Sequence, residues 1–298
     1  PSTLKEIHIM GPYTYSIKKL FIVSTIVLIC FQNSAQKVKI FGHRGCKGLL
    51  PENTIISFKK ALDLGVDGIE WDVVVSKDNE LIISHEPYID TNYCKKINAD
   101  NKAHSSDDLN IYKMSTKEVK SFDCGSSFVK NYPDQKLSFQ TKPTVKEAFN
   151  ELKKYNPIIL FEIKSSEKNY GFYQPYPEEY AEIITKEIKG YEHIENILFM
   201  SFDPELLNSL NKLMPNQKYI LLNYNPLNNF EKCLSFLKFK PYAIGLYFPL
   251  INTETINKSH ANNIQVFAWT VNDIKIGDEL KTLGVDGIIS DYPNLFLK

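Results

Sequence analysis

Short strand-like runs alternate with amphipathic helical segments along most of this chain, and the alternation restricts its fold more than any other feature. Helical patterns lie between most of the strand-like runs, for example at 57–65, 179–191, 204–214 and 276–284. Strands separated by helices of about 10–15 residues predict parallel βαβ units. Nine runs have the composition and length of strands: 39–44, 68–74, 81–85, 158–164, 196–202, 218–224, 243–248, 265–271 and 287–290.

The number of runs indicates which parallel fold to expect. A (β/α)₈ barrel needs eight strands, so one of the nine candidates is extra. Residues 81–85 are the extra run, because the residues at 76–80 leave no room for a crossover helix.

A repeated joint supports a closed ring of units, because Leu64–Ile69 and Leu283–Ile288 have the same sequence. An open doubly wound sheet is the alternative, but no glycine-rich phosphate loop follows the first strand. We therefore predict a TIM-type (β/α)₈ barrel with a small insertion after the third strand-like segment.

The N-terminal segment differs from the rest of the chain. Lys18 and Lys19 precede an apolar run at 20–31, and a polar stretch follows it. This order is typical of a secretory signal peptide, with Ala35 the best residue before a cut. The run is shorter than the ~20 residues that span a bilayer. A buried N-terminal helix is the alternative.

Two units follow from this pattern. Residues 1–35 are expected to be a leader that includes the signal peptide, and residues 36–298 one barrel domain. The protein is then exported, periplasmic or secreted, with no membrane span in its mature chain. A lipid anchor on Cys30 is disfavoured, because the bulky Ile29 precedes it.

The charged residues are balanced, with 35 Lys and Arg against 35 Asp and Glu. This balance provides no basic field for nucleic acid, so no nucleic-acid partner is expected. Once Cys30 is removed with the leader, Cys46, Cys94, Cys124 and Cys233 remain. Cys94 and Cys124 flank one polar segment and are the disulfide candidates, but four free thiols remain equally open.

The alternation stops between Tyr88 and Lys142, where the sequence is polar and holds one short helical piece near Ser115–Phe122. Long insertions of this kind are more often functional than structural. We expect a small lobe over the rim of the barrel.

Acidic side chains occur inside apolar strand-like runs, where an isolated carboxylate is costly. Alternate residues of a strand point to one face, so Glu70 and Asp72 project together, and so do Glu162 and Lys164. Three such acids at strand ends suit one divalent cation, Mg²⁺ or Ca²⁺. The alternative is that each acid pairs with a neighbouring Lys or Arg.

Two histidines lie close to these acids. If residues 76–80 form a hairpin turn centred between Lys77 and Asp78, then His85 lies directly opposite Glu70. His43 ends the first strand-like run and is followed by Arg44, whose fork suits an anionic oxygen.

Two histidines beside a cation and an arginine suit the cleavage of a phosphate ester, in which one histidine removes a proton and the other supplies one.

These motifs together resemble the glycerophosphodiester phosphodiesterase family, from about Lys37 to the C-terminus. Members of this family have a TIM-barrel fold and hydrolyse glycerophosphodiesters to glycerol 3-phosphate and an alcohol with a divalent cation. The matching residues, in chain order, are His43-Arg44-Gly45, Pro51-Glu52-Asn53-Thr54, Glu70-x-Asp72, His85, Glu162-x-Lys164, Trp269-Thr270-Val271-Asn272 and Gly287–Pro293.

The resemblance implies a role for each candidate residue. His43 and His85 would be the acid–base pair. Arg44 and Lys164 would hold the phosphate, and Trp269 would pack against the glycerol or leaving group, with plain barrel core as the alternative. The implied metal ligands are Glu70, Asp72 and Glu162.

Other residues near the motifs qualify the resemblance. Asn53 is expected to cap the helix that follows it. Glu86 stands where the family usually has Asp, and no Arg-Thr pair follows His85. Both differences lie where the leaving group would sit. A lysophospholipase D-like phosphodiesterase and a non-catalytic periplasmic binder of phosphorylated ligands are the rival functions.

Overall fold

Eight parallel strands form a closed ring in the computed structural model, which describes residues 37–98 and 109–297. The ring closes because the strand Lys39–Gly42 pairs in parallel with both Gly68–Val75 and Gly287–Ser290. The predicted TIM-type barrel is confirmed. Around the ring the strands are β1 (Lys39–Gly42), β2 (Gly68–Val75), β6 (Ile158–Ile163), β7 (Ile197–Ser201), β8 (Lys218–Asn223), β9 (Ala243–Tyr247), β10 (Gln265–Trp269) and β11 (Gly287–Ser290).

Helices connect successive barrel strands. Within the described ranges, β11 is followed by a 3-10 turn, Pro293–Leu295, and not by an α-helix. The α-helices are α1 (Ile55–Leu64), α2 (Thr116–Val119), α3 (Val145–Leu152), α4 (Pro177–Ile188), α5 (Pro204–Leu213), α6 (Phe230–Ser235), α7 (Thr253–Ala261) and α8 (Ile274–Leu283).

The ninth predicted strand lies outside the ring. It forms β3 (Leu81–Ile83), which pairs antiparallel with the end of β2 as a hairpin. Two further short strands, β4 (Lys95–Lys96) and β5 (Phe122–Asp123), pair with each other and were not predicted.

The repeated joint has the same structure in both places. Helices α1 and α8 each end in a glycine with left-handed backbone, with φ of +92° and +99°. The aspartate that follows accepts an N–H from the neighbouring strand: Asp67 Oδ2 from Ile40 at 2.9 Å, and Asp286 Oδ2 from Val266 at 2.7 Å. Each joint therefore holds the start of its strand against the next strand of the ring.

Apolar side chains fill the barrel interior below its carboxyl rim. Phe41 and Phe267 pack there, with ring centroids 5.4 Å apart. Two larger clusters of buried side chains fill the space between the ring and the helices. The polar residues inside the barrel are consequently concentrated near the carboxyl ends of the strands, the end where TIM barrels carry their active sites.

The segment between β3 and α3 has a small core of its own, which includes Ile89, Ile111 and Val119. It contains α2, where the short helical piece was predicted. Its side chain Gln135 donates to the carbonyls of Lys47 and Leu50, so the segment lies against the loop after β1.

Among the residues that the structure describes, no helix is long and apolar enough to cross a bilayer. The predicted leader and Cys30 lie outside those residues.

Cys94 and Cys124 form a disulfide across the inserted segment, while Cys46 and Cys233 are buried free thiols. The structure thus contains the candidate pair.

We expect the double variant Cys94→Ser, Cys124→Ser to lower the free energy of unfolding by about 3–4 kcal/mol, because the disulfide closes a long loop. Chemical denaturation measures the loss. Of the four cysteines in the described residues, only Cys46 and Cys233 should become reactive to iodoacetamide when the wild-type protein unfolds without a reductant. Alkylation of Cys94 under these conditions would contradict the pairing.

Candidate active site

Three carboxylates meet inside the barrel near its carboxyl rim, on two neighbouring strands. Glu70 and Asp72 come from β2 and Glu162 from β6, and the strand register places Asp72 beside Glu162. One oxygen of each lies within 4.8 Å of the others, and all three residues are buried. The structure therefore brings together the three residues predicted as metal ligands.

These residues fit a divalent cation. Glu70 Oε1 is buried and has no hydrogen-bond partner within 37–98 and 109–297. Burial and the charges of Asp72 and Glu162 raise the pKa of Glu70 well above its usual range. An unpartnered buried oxygen beside two more carboxylates matches the oxygen ligands of Mg²⁺ or Ca²⁺, and a cation would offset the repulsion.

Two cationic side chains border the acids. Lys164 Nζ is 2.5 Å from Glu162 Oε1 and 3.4 Å from Asp72 Oδ1. Arg44 Nε is 3.3 Å from Asp72 Oδ2. Burial alone would raise the pKa of Asp72, but Lys164, His85 and Arg44 hold it below its usual range.

Arg44 is also held from its other side. Its Nη1 donates to Glu52 Oε1 at 2.9 Å, and Lys47 Nζ lies 2.7 Å from Glu52 Oε2. Burial opposes ionisation of Glu52, yet Arg44 and Lys47 lower its pKa to about 2. Arg44 and Lys164, the residues predicted to hold phosphate, thus lie on opposite sides of Asp72's carboxylate.

Asn53 does not cap α1, and that expectation was wrong. Thr54 is the cap, since its hydroxyl accepts the N–H of Ser57 at 3.3 Å. Asn53 has left-handed backbone with φ +56° and donates from Nδ2 to Asp72 Oδ2 at 2.8 Å. The left-handed backbone of Asn53 directs its amide toward β2. Only the position of that strand shows that Asn53 contacts Asp72 and that Thr54 caps the helix.

His43 follows β1 and lies over the acidic cluster. Its Nδ1 is 2.6 Å from Asp291 Oδ1, and its Nε2 is 3.9 Å from Glu70 Oε2. Burial lowers the pKa of His43, although Asp291 acts in the opposite direction. The next glycine, Gly45, has φ +86°, and a Cβ there would lie 2.5 Å from Ser57 Oγ. Gly45 therefore permits close packing against α1.

His85 reaches the site through the hairpin, but its predicted register was wrong by one residue. Val75 pairs with Leu81, which places Ser84 opposite Asp72. The cause is a three-residue loop, closed by the Ser76 N–H to Glu80 carbonyl bond of 3.0 Å. The expected turn between Lys77 and Asp78 has an even number of residues and would have paired His85 with Glu70.

The imidazole of His85 is held by the residue that departs from the family pattern. His85 Nδ1 is 2.6 Å from Glu86 Oε1, and both side chains are partly exposed. Glu86 has a longer side chain than the aspartate that the family usually has at this position, and it contacts the adjacent His85.

Aromatic side chains stand at the ends of four consecutive strands. Trp269 ends β10, and its ring centroid is 5.4 Å from that of Phe202 and 5.8 Å from that of Tyr247. Phe202 is 5.6 Å from Tyr224. Trp269 is half-buried, and its buried Nε1 has no hydrogen-bond partner in the described part of the chain. Trp269 thus belongs to an aromatic wall at the rim, and it also packs against the apolar cluster inside the barrel.

Asp291 is a site residue that the sequence reasoning left without a role. It follows β11 and accepts from Tyr132 Oη at 2.9 Å and Asn272 Nδ2 at 2.7 Å, besides contacting His43. Burial would raise its pKa, but His43 and Asn272 hold it below its usual range. The sequence could have identified Asp291 as a site residue, because like the other acids it lies at the end of a strand. No pattern in the sequence indicated its contact with Tyr132 of the insertion.

The chain matches the glycerophosphoryl diester phosphodiesterase family across residues 43–295. It belongs to that family, and it is an enzyme of the phosphodiesterase class.

Relatives match over nearly their whole length. The chain is 28% identical to a glycerophosphodiester phosphodiesterase of Caldanaerobacter subterraneus subsp. tengcongensis, covering 88% of this chain and 97% of that protein. A glycerophosphodiester phosphodiesterase of Bacillus altitudinis is also 28% identical, with 87% and 97% covered.

The fold has close counterparts among solved structures. A phosphodiesterase of Oleispira antarctica, in complex with the product sn-glycerol-3-phosphate, has a TM-score of 0.69 and 25% identity, covering 86% of this chain and 94% of that one. A glycerophosphodiester phosphodiesterase of Thermotoga maritima has a TM-score of 0.63 and 25% identity, with 87% and 96% covered.

We expect Asn53→Ala to weaken Mg²⁺ or Ca²⁺ binding about 10- to 100-fold, because residues that orient metal ligands have effects of this size. Titration calorimetry on metal-stripped protein measures it. The matched control is Asn156→Ala, an exposed asparagine that also has left-handed backbone, with φ +44°. Equal cation affinities in the two variants would show that Asn53 does not position Asp72.

Proposed function

We propose that this protein hydrolyses glycerophosphodiesters to sn-glycerol 3-phosphate and an alcohol, with one divalent cation, Mg²⁺ or Ca²⁺, and histidine acid–base catalysis. The observation that carries the proposal is the position of His43, held by Asp291, over the carboxylate of Glu70, whose Oε1 has no hydrogen-bond partner among the described residues. Family membership and the product bound to the Oleispira antarctica phosphodiesterase agree with it.

Glu70, Asp72 and Glu162 would hold the cation. When bound, it supplies positive charge that stabilises the phosphoryl oxygens and polarises an attacking oxygen. Arg44 and Lys164 add positive charge on either side of Asp72 and would bind the phosphate.

The two histidines would move protons at their Nε2 atoms. In each ring Nδ1 faces a carboxylate, Asp291 for His43 and Glu86 for His85. A carboxylate on Nδ1 keeps the hydrogen there, which leaves Nε2 of a neutral imidazole as the base. One histidine would take the proton of the nucleophile and the other would protonate the leaving alcohol. A protein that only binds ligands would need neither.

A lysophospholipase D-like activity is the second candidate, and the aromatic wall favours it. Tyr224 and Tyr247 extend outward from Trp269, with 65% and 41% of their surface exposed. Such a wall would pack against the glycerol and could continue along an acyl chain attached to it. Assays with lysophosphatidylcholine beside glycerophosphocholine separate the two substrates.

We also propose that the protein is exported and acts without a nucleic-acid partner. The disulfide between Cys94 and Cys124 supports an oxidising compartment. Fractionation of cells into cytoplasm, periplasm and medium, with an antibody to the barrel domain, tests the location.

We expect metal-stripped protein to be inactive on glycerophosphocholine, and Mg²⁺ or Ca²⁺ to restore release of glycerol 3-phosphate. His43→Ala and His85→Ala should each lower kcat about 10²- to 10⁴-fold, as removal of a proton-transfer group does. His193→Ala is the control, because the side chain of His193 is exposed and lies far along the chain from the site residues, next to Glu195. Activity that survives chelation or His43→Ala would refute the mechanism.

We expect Asp291→Asn to lower kcat about 10²- to 10⁴-fold with little change in KM, because the amide can hold His43 in the wrong tautomer. Steady-state kinetics on one substrate give both constants. Asp278→Asn is the control at an exposed aspartate whose carboxylate pairs with Lys281. A change confined to KM would mean that Asp291 supports binding and not proton transfer.

A further inference from the structure

A cavity of about 710 Å³ lies at the carboxyl rim between the loops that follow β6, β7 and β8. Its volume is within the range of roughly 300–1,000 Å³ that is usual for small-molecule sites. Two lining residues connect it to the active site: Ser165 directly follows Lys164, and the ring centroid of Phe202 is 6.0 Å from Lys164 Nζ. Phe202 also contacts Trp269. A substrate whose phosphate lies at Lys164 therefore has this cavity beside it.

Two of the lining side chains, Asp203 and Asn223, are polar and buried, and both have partners within the chain. Asp203 Oδ2 accepts from Ser165 Oγ at 2.5 Å and from Tyr170 Oη at 2.6 Å. Its Oδ1 accepts two backbone N–H groups at the start of α5. Asn223 Nδ2 donates to two carbonyls of the loop that follows β8. Because these groups are satisfied, they do not require a polar ligand in the cavity.

Apolar side chains form another part of the lining. Leu221 and Leu222 come from β8 and are buried, and Phe236, which follows α6, is partly exposed. The thiol-bearing Cys233 of α6 is buried and lines the same cavity. These side chains cannot satisfy a strongly polar ligand. A hydrocarbon chain that displaced water from them would be stabilised by the hydrophobic effect.

Exposed apolar side chains occur in the loops that border this cavity. Tyr224 lines the cavity and is 65% exposed, and Leu227 of the same loop is 85% exposed. In the loop after β6, Tyr176 is 59% exposed, and its ring centroid is 5.7 Å from that of Tyr170, another lining residue. Exposed apolar patches occur at ligand-binding grooves, and this patch lies beside a partly apolar cavity.

Charge limits which part of a substrate can enter. Among the residues that the structure describes, no lysine, arginine or histidine lines the cavity, whereas Glu167 and Glu205 are acidic. A phosphate would be repelled there and would lie instead at Arg44 and Lys164. Both glutamates are exposed, so water screens their attraction for a cationic head group. A neutral hydrocarbon chain is the part of a substrate that fits this lining.

We propose that this cavity binds the acyl chain of a lysophospholipid whose phosphate lies at Arg44 and Lys164. Water adds across the bond between phosphorus and the head-group oxygen. Phosphorus keeps the oxygen of the water, the head-group alcohol takes a proton, and the acyl ester stays intact. The products are a lysophosphatidic acid and an alcohol such as choline. The inference rests on the proposed function, because it concerns the same hydrolysis and names a substrate class and the place where its chain binds.

The test measures kcat and KM of the metal-loaded protein for glycerophosphocholine and for its 1-butanoyl, 1-hexanoyl and 1-octanoyl esters. Each ester is used below the concentration at which it forms micelles, so that adsorption to an aggregate plays no part. We expect kcat/KM to rise about tenfold for each pair of methylenes that enters the cavity, because burial of apolar surface is favourable. The rise should come mainly from a lower KM.

Two variants narrow the cavity from different loops, Ser166→Trp and Glu205→Trp. Both residues line it, Ser166 does not cap the turn that follows it, and Glu205 is exposed. Each variant should hydrolyse glycerophosphocholine within about twofold of the wild-type rate, as surface substitutions usually allow. Each should lose most of the increase with chain length, because the indole occupies the space that the chain would fill.

The matched control is Glu178→Trp, which should keep the wild-type dependence on chain length. Glu178 is an exposed glutamate directly after the proline that begins α4, as Glu205 is in α5, and it does not line the cavity. Equal or lower kcat/KM for the esters than for glycerophosphocholine would overturn the inference, and so would a dependence that both cavity variants retain. If one variant fails to hydrolyse glycerophosphocholine, the other decides, and if both fail, the wild-type series decides.

Absence of turnover on every diester would instead contradict the proposed function, and the cavity is then tested by binding. Thermal shifts of the metal-loaded wild type and Glu205→Trp are compared with octyl phosphate and with inorganic phosphate. A larger stabilisation by octyl phosphate that Glu205→Trp removes supports the inference. Equal stabilisation by the two phosphates, or none by octyl phosphate, overturns it.

Discussion

Glu70, Asp72 and Glu162 place three carboxyl groups inside the barrel, and most features of the site compensate for that burial. Repulsion among buried carboxylates raises the pKa of Glu70. Lys164, Arg44 and Asn53 each contact one or more of the acids, and a divalent cation would complete the compensation. The loop after β1 and the rim of β6 are thus organised around the same few oxygen atoms.

The histidines depend on a second set of carboxylates, and these tie the insertion to the barrel. Asp291 holds His43 and accepts from Tyr132 of the inserted segment. Glu86 holds His85 at the start of that segment. The insertion therefore contributes to the position of one histidine and borders a cavity beside the carboxylate that holds the other.

Much of the fold and of the site follows from sequence, because strand and helix periodicities are local properties. All nine strand-like runs are strands, and the run without a crossover helix is the antiparallel one. The three acids meet because alternate residues of a strand share a face. Pairing between distant residues carries no such local signal. The short strands β4 and β5 and the contact of Tyr132 with Asp291 therefore emerged only in three dimensions.

The turn between β2 and β3 shows which features the sequence determined and which the tertiary structure decided. Sequence determined that a hairpin returns the chain beside β2 and delivers His85 near the acids. Tertiary structure decided the register, because Asn79 adopts left-handed backbone with φ +59° and makes the loop three residues long. It likewise decided that Asn53 and not Thr54 faces Asp72. Periodicity specifies which residues share a face of a strand. Which residue a side chain contacts on another element depends on how the two elements pack.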